Sequence, residues 1–372
     1  MSTGPPAPGI PPWQQYLLAV VRGEHRGAGP ALIRALLGGA AAGYRAALES
    51  YLLCCRLGLL AVARAGVPVV SVGNLTVGGT GKTSAVMAIA RQLAGAGLAP
   101  GVLSRGYGGG QGGIVSDGKQ VLMPAAQSGD EPWLLAGQLP GVPVVVGKDR
   151  RRSAALAVGL GARSLVLDDG FQYWRLHKDL EVVLVDALNP FDNGRVLPAG
   201  LLREPIGHLY RAHAVWVTHA DLVPEAVRGR IAQTVRQVQP ALEVGFTWHQ
   251  PQRLHTFGAG ETLEPGTLAG RRVLALSSIG NPLAFERTLQ GLGAQPVPAR
   301  FPDHHRYRPT DLEAVAAQAG QVGAELVVTT EKDAVRLPAW PGPLPLWVLG
   351  VEMMSLAGGP PLLSEGLLGS MR

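Results

Sequence analysis

The chain has 372 residues, enough for two or three domains with sizeable cores, and its 47% hydrophobic and 16% charged residues exclude a disordered polymer. Its formal charge of +6 is local: residues 1 to 66 hold six Arg and two Glu, a net of +4, which leaves +2 for the other 306. A basic excess so confined excludes a general nucleic-acid-binding surface.

The first twelve residues hold five prolines and no basic residue, which reads as a flexible tail rather than a signal peptide. Further on, Arg34, Arg45, Glu49, Arg56 and Arg64 interrupt every apolar run, so a spanning helix is disfavoured. At about 100° per residue, Arg34, Arg45, Glu49 and Arg56 fall within about 60° of arc. Ile33, Leu37, Ala40, Tyr44, Ala47, Leu48, Tyr51 and Cys55 gather on the other side. Residues 1–66 are therefore expected to form a basic amphipathic segment lying on an anionic membrane surface. The alternative is a helix docked on the protein's own core. Cys54 and Cys55 are adjacent, so they offer neither a disulfide framework nor metal-ligand spacing, and a reducing cytoplasmic compartment is expected.

Residues 67 to 72 form a β-branched run, as expected of a buried parallel strand. It leads into Gly73-Asn74-Leu75-Thr76-Val77-Gly78-Gly79-Thr80-Gly81-Lys82-Thr83 and a helical stretch from Ser84. Strand, glycine-rich loop, Gly-Lys-Thr and helix in that order predict a phosphate-binding loop. The main chain from Thr76 to Thr83 is expected to wrap phosphate oxygens. Lys82 would neutralise the β- and γ-phosphates, and the Thr83 hydroxyl would ligate Mg²⁺. Thr76 stands where the usual spacing has its first glycine, and Gly78 and Gly79 supply the backbone freedom instead. Val77 stands where partition-type ATPases carry an extra lysine.

Residues 164 to 169 form an apolar strand ending in Asp168 and Asp169, a pair placed to hold Mg²⁺ or to cap a turn. Further strands at 99 to 103, 142 to 146, 182 to 186 and 214 to 218 alternate with helical stretches. That alternation predicts an α/β fold over 67–245, a doubly wound, mostly parallel sheet of the P-loop type. A smaller α/β domain is expected over 246–372, with strands at 271 to 276, 325 to 330 and 345 to 349 and a helix from Asn281.

Beyond the phosphate loop, the chain resembles the tetraacyldisaccharide 4′-kinase family in a series of motifs. These are Leu103-Ser104-Arg105-Gly106-Tyr107-Gly108-Gly109, Gly129-Asp130-Glu131-Pro132, and Asp168-Asp169-Gly170-Phe171-Gln172. Leu197-Pro198-Ala199-Gly200 with Leu202-Arg203-Glu204-Pro205, Phe301-Pro302-Asp303-His304-His305, and Thr330-Glu331-Lys332-Asp333-Ala334-Val335 continue in the family's order. The resemblance covers roughly residues 30 to 350. It implies transfer of the γ-phosphate of ATP to the 4′-hydroxyl of a tetraacylated glucosamine disaccharide 1-phosphate, with ATP and Mg²⁺ as cofactors. It further implies an enzyme on the cytoplasmic face of a bacterial inner membrane, with no nucleic acid and no obligate protein partner. Asp130 resembles the family's catalytic acid, paired with His304, alongside Lys82. Glu131, Arg150, Gln172 and Arg203 resemble residues on the substrate side. Ser84, Tyr173 and Leu201 depart from the family's usual Pro, His and Pro.

The residues also have readings of their own. A sugar hydroxyl must be oriented and lose its proton, which suits Asp130 with a hydrogen-bonded His304. Asp130 could equally be a helix N-cap. Arg150, Arg151 and Arg152 could bind an anionic sugar phosphate or form a solvated helix face. His305 is open between structural and supporting roles. Asp130 and the loop fall in one domain and His304 in the other, as in a cleft that closes on substrate. The competing function is an ATPase switch of the partitioning or metallochaperone type acting through protein partners.

Overall fold

The computed structural model describes residues 12–106, 112–258, 260–356, 362–369 and 371. The proline-rich start expected to be a tail, residues 1 to 11, lies outside the described residues, as do Tyr107, Gly108 and Gly109. Two compact units form. One comprises Tyr16–Trp248 with Met353–Arg372, and the other is built on His249–Glu352.

In the first unit, parallel strands are laid down by the β-branched runs: β1 (Val69–Asn74), β2 (Pro100–Ser104), β4 (Pro143–Val146), β5 (Ser164–Asp168), β6 (Leu180–Asp186) and β7 (Ala214–Thr218). Strand β3 (Gly113–Asp117) adds an antiparallel edge against β4, and the start of β8 (Glu243–Thr256) pairs in parallel with β7. The order is β8-β7-β6-β1-β5-β2-β4-β3. Strand β1 lies between β5 and β6, so the chain reverses its direction of winding there. In an open α/β sheet, ligands bind beyond the carboxyl ends of strands at such a point. Every residue of β1, β2, β5, β6 and β7 is buried, which explains their unbroken apolar character.

Two helices of this unit bear on function, α2 (Ala28–Arg56) and α3 (Lys82–Gly95), and α1 (Pro12–Val21) precedes them, with Pro12 to Gln15 grouped with the other unit. No described helix is long and apolar enough to cross a membrane. Helix α2 corrects the expected assignment of faces. Leu37 and Ala41 pack into the core beside β6 and β7, and Leu52 is fully buried. The charged arc abuts this docked seam and is tied to the body. Arg34 donates to the His25 carbonyl at 2.8 Å, Glu49 meets His208 Nε2 at 2.9 Å, and Arg56 bonds the Tyr210 hydroxyl. The outward face carries Leu32, Leu36, Leu53 and Leu57, all more than half exposed and within about 100° of arc.

Residues 353–372 return to the first unit. Leu363 exchanges two main-chain bonds with the Gln92 side chain on α3, at 2.8 and 3.1 Å, and Leu363 and Met371 are buried in the same core.

The second unit holds β9 (Thr262–Leu263), antiparallel to the later part of β8, and four parallel strands. These are β10 (Arg272–Ser277), β11 (Gln295–Arg300), β12 (Leu326–Thr330) and β13 (Leu346–Ser355), in the order β11-β10-β12-β13. Asn281 caps helix Pro282–Gly291 by accepting from the Ala284 N–H at 3.1 Å.

Candidate functional site

The phosphate loop follows β1. Gly81, at φ 82, is the N-cap of α3 and brings no side chain, so no side-chain cap occupies the helix's first N–H groups, which point back toward the loop. Gly73 is required for another reason. A Cβ there would sit 2.4 Å from that of Phe171, so only glycine lets the loop after β5 close on β1.

Arg203 reaches this loop through its own backbone. Thr76 bridges to Leu202, Val77 N–H donates to the Leu201 carbonyl at 2.8 Å, and Arg203 N–H to the Leu75 carbonyl at 2.6 Å. Leucine at 201 offers the same carbonyl that proline would, so this departure leaves the pairing intact. The Arg203 guanidinium then grips Asp169 through two bonds, at 2.7 and 3.1 Å. Lys82 Nζ lies 3.7 Å from Asp169 and donates to Asn74 Oδ1 at 3.2 Å. Burial works against ionisation of Asp169, yet Lys82 and Arg203 hold its carboxyl below the usual range.

Asn74 is the residue sequence reading missed. It is fully buried, and its Oδ1 also accepts from Arg203 at 3.2 Å. Its Nδ2 donates to the Thr76 carbonyl at 2.6 Å, and its own carbonyl accepts from Gln172 Nε2 at 3.1 Å. The side-chain amide thus gathers Lys82, Arg203 and the loop, and the main-chain carbonyl of the same residue adds Gln172.

Asp168 ends β5 beside Val72 of β1 and is buried. Its carboxyl is pushed up to about 7 by burial first, then by Glu131 and Asp169, while the Ser104 hydroxyl donates to it at 2.8 Å. Asp169 stands at φ 52, a left-handed turn that swings its side chain off the strand direction toward Lys82.

Asp130 and Glu131 open helix Asp130–Gln138. The N-cap is Gly129, so the capping alternative for Asp130 does not hold: it is the first helical residue and half-buried. The three arginines separate by environment. Arg150 is buried, donates to the Gly147 carbonyl at 3.0 Å, and lies 5.4 Å from the Tyr173 ring. Arg151 pairs with Asp149 at 2.7 Å, and Arg152 is largely exposed. Tyr173, where the family usually has His, donates to Asp149 at 3.2 Å and accepts from the Arg150 N–H at 3.1 Å. Thr83 lies in the first turn of α3, half-buried.

His304 belongs to the second unit, in the loop after β11, with φ 59. Its ring lies 3.9 Å from Asp303. His305 is structural: it bonds Asp311 at 3.0 Å and stacks on Phe301. Lys332 approaches Asp303 at 4.0 Å.

With this geometry in place, the comparisons decide the family. The model of the family described as tetraacyldisaccharide-1-P 4′-kinase matches residues 33–370. The chain belongs to that family. It is 50% identical to the tetraacyldisaccharide 4′-kinase of Anaeromyxobacter sp. (strain K) over 289 residues, 76% of this chain and 75% of the relative. It is 39% identical to that of Geobacter metallireducens over 336 residues, 89% and 96% of the two chains. The crystal structure of LpxK from Aquifex aeolicus in complex with ATP matches with a TM-score of 0.68 and 29% identity, over 91% of this chain and 98% of that one. This family member is accordingly an ATP-dependent kinase of lipid A biosynthesis that phosphorylates a tetraacyldisaccharide 1-phosphate at its 4′-hydroxyl. The P-loop switch reading is not favoured.

Proposed function

We propose that the transfer is carried by the residues gathered at the ends of β1 and β5 together with Asp130, Glu131, Arg150 and, from the other unit, His304. The triphosphate lies on the loop from Thr76 to Thr83 and the start of α3, with Lys82 drawing the β- and γ-oxygens into register. Asp130 accepts the proton of the 4′-hydroxyl, and His304 orients and tunes it. Glu131, Arg150, Gln172 and Arg203 face the acceptor, where a guanidinium can take its 1-phosphate through two bonds. The observation that carries this reading is Asp169 held between Lys82 and Arg203: two cations and an acid converge where a triphosphate must enter.

A magnesium ion fits the acids that are present. Among the described residues no cluster of three or more His, Cys, Asp or Glu could hold a metal by itself. Magnesium suits such a site, since it keeps waters and takes phosphate oxygens besides one or two carboxylates. Asp168, raised in pKa by burial and by two neighbouring acids, marks a point short of positive charge. Thr83, Asp168 and Asp169 would hold the ion, which would neutralise charge on the transferring phosphoryl group.

The second part of the proposal is attachment to the cytoplasmic face of the inner membrane, through the apolar outward line of α2 with Tyr16 of α1. Anionic lipids would meet the basic residues of the first 66.

The test is turnover of labelled ATP with tetraacyldisaccharide 1-phosphate in detergent micelles. Asp130→Ala and His304→Ala should each lower turnover by at least ~10²-fold while ATP binding survives. Near-normal turnover in either variant removes that residue from the chemistry. ATP hydrolysis with no 4′-phosphorylated lipid would sink the assignment of transfer.

A further inference from the structure

Asp333 follows β12 in the second unit and is fully buried. Its carboxylate collects donors from four different residues. Ser278 gives its N–H at 3.1 and 3.2 Å and its hydroxyl at 2.5 Å. Thr330 gives a hydroxyl at 2.8 Å, Tyr307 a hydroxyl at 3.3 Å, and Arg336 a guanidinium nitrogen at 2.9 Å. Capping the short turn Glu331–Ala334 would need far less.

Where these donors sit is the point. Ser278 stands just past β10, and its carbonyl accepts the main-chain N–H of His304 at 3.2 Å. The same carbonyl accepts from Arg336 at 3.2 Å. Tyr307 lies three residues beyond His304, so Asp333 holds the loop after that histidine and, through Ser278, the main chain of the histidine itself. His304 itself is a non-glycine residue at φ 59. Such a conformation persists only where the surroundings over-determine it, and these bonds are the surroundings.

We propose that Asp333 is a positioning residue for His304. It fixes Ser278 and Tyr307, and through them the left-handed backbone that aims the imidazole. The inference rests on the reading of His304 as part of the chemistry.

The experiment is a double-mutant cycle on the full chain, read as kcat and KM for ATP in the micellar kinase assay. Asp333→Asn keeps the shape and removes the charge. It should lower kcat by about 10-fold or more with KM for ATP within about twofold. In a His304→Ala background the same change should cost less than about twofold, because the residue it serves is gone. Equal losses in both backgrounds, or a normal kcat for Asp333→Asn, overturn the proposal while leaving His304 in place. Full turnover of His304→Ala overturns the underlying reading and the proposal with it. Should Asp333→Asn fail to fold, Tyr307→Phe removes a single donor. It should lower kcat by about threefold in the parent and leave the His304→Ala background unchanged. The same loss in both overturns the proposal.

Discussion

Asn74 shows how much a single amide can organise. It is uncharged, so it holds Lys82 and Arg203 near each other without adding to the negative charge of Asp169, which meets both. Asn74→Ala should lower kcat by roughly 10-fold or more through misplacement of these two cations, while thermal stability changes far less than activity. Steady-state kinetics with a parallel melting curve checks this; a loss in melting temperature with kcat intact would assign Asn74 to stability instead. The sequence made Lys82 and Thr83 legible because their spacing is local to one strand-loop-helix unit, and Asp168 because it ends an apolar strand. Asn74 was not, because asparagine after a strand reads as an ordinary turn residue. Its importance depends on Arg203 and Gln172, which are distant in the chain.

At the scale of elements, the segment after Arg203 is held by a buried charge network. Glu204 is fully buried, bonded to His208 at 2.7 Å and to Arg211 at 2.8 Å. Burial pushes the Glu204 carboxyl up, but these two partners hold it below its ordinary value. The Arg211 guanidinium lies 4.0 Å from the Phe171 ring and 3.7 Å from that of Trp174, and it donates to the Phe171 carbonyl. It thereby braces the loop behind Asp168 and Asp169. Arg211→Ala should destabilise the first unit by roughly 3–5 kcal/mol, since it strands a buried carboxylate. Urea unfolding measures it, and a loss under about 1 kcal/mol would mean His208 alone balances Glu204. Helix α2 makes the complementary case. Leu36→Glu with Leu57→Glu should weaken binding to anionic vesicles by at least ~10-fold in a sedimentation assay, since each leucine contributes about 1.5–3 kcal/mol when buried. Unchanged binding would place the contact elsewhere. The charged arc of α2 was legible from periodicity. Which side meets the body was not, because the partners Tyr210 and His208 lie more than 150 residues away.

For the whole molecule, Asp168 beside the phosphate loop couples stability to pH and, on the reading proposed above, to magnesium. The Asp168 carboxyl has an ordinary value of 3.8 and is pushed up to about 7, so the folded state favours its protonated form. That contribution is complete below about pH 4 and is lost as pH rises through about 7. A divalent cation needs the deprotonated acid, so magnesium should raise the melting temperature more at pH 8 than at pH 6. Scanning fluorimetry at both values decides it, and equal increments would detach the ion from Asp168. The parallel sheet of the first unit was legible because fully buried strands read as apolar runs. The edge strand β3 and the fourteen residues of β8 carried no such signature, being partly exposed and mixed in composition.

The bonds between Leu363 and Gln92 bear on how the protein is made. A ribosome delivers the phosphate loop and α3 first, and it delivers Leu363 and Met371, which pack on their core, only after all of His249–Glu352. Until Leu363 and Met371 have emerged, the apolar surface they cover on the first unit stays wet, although the unit built on His249–Glu352 is already synthesised. The nascent chain therefore holds its nucleotide site in an incomplete domain while a whole second domain is translated.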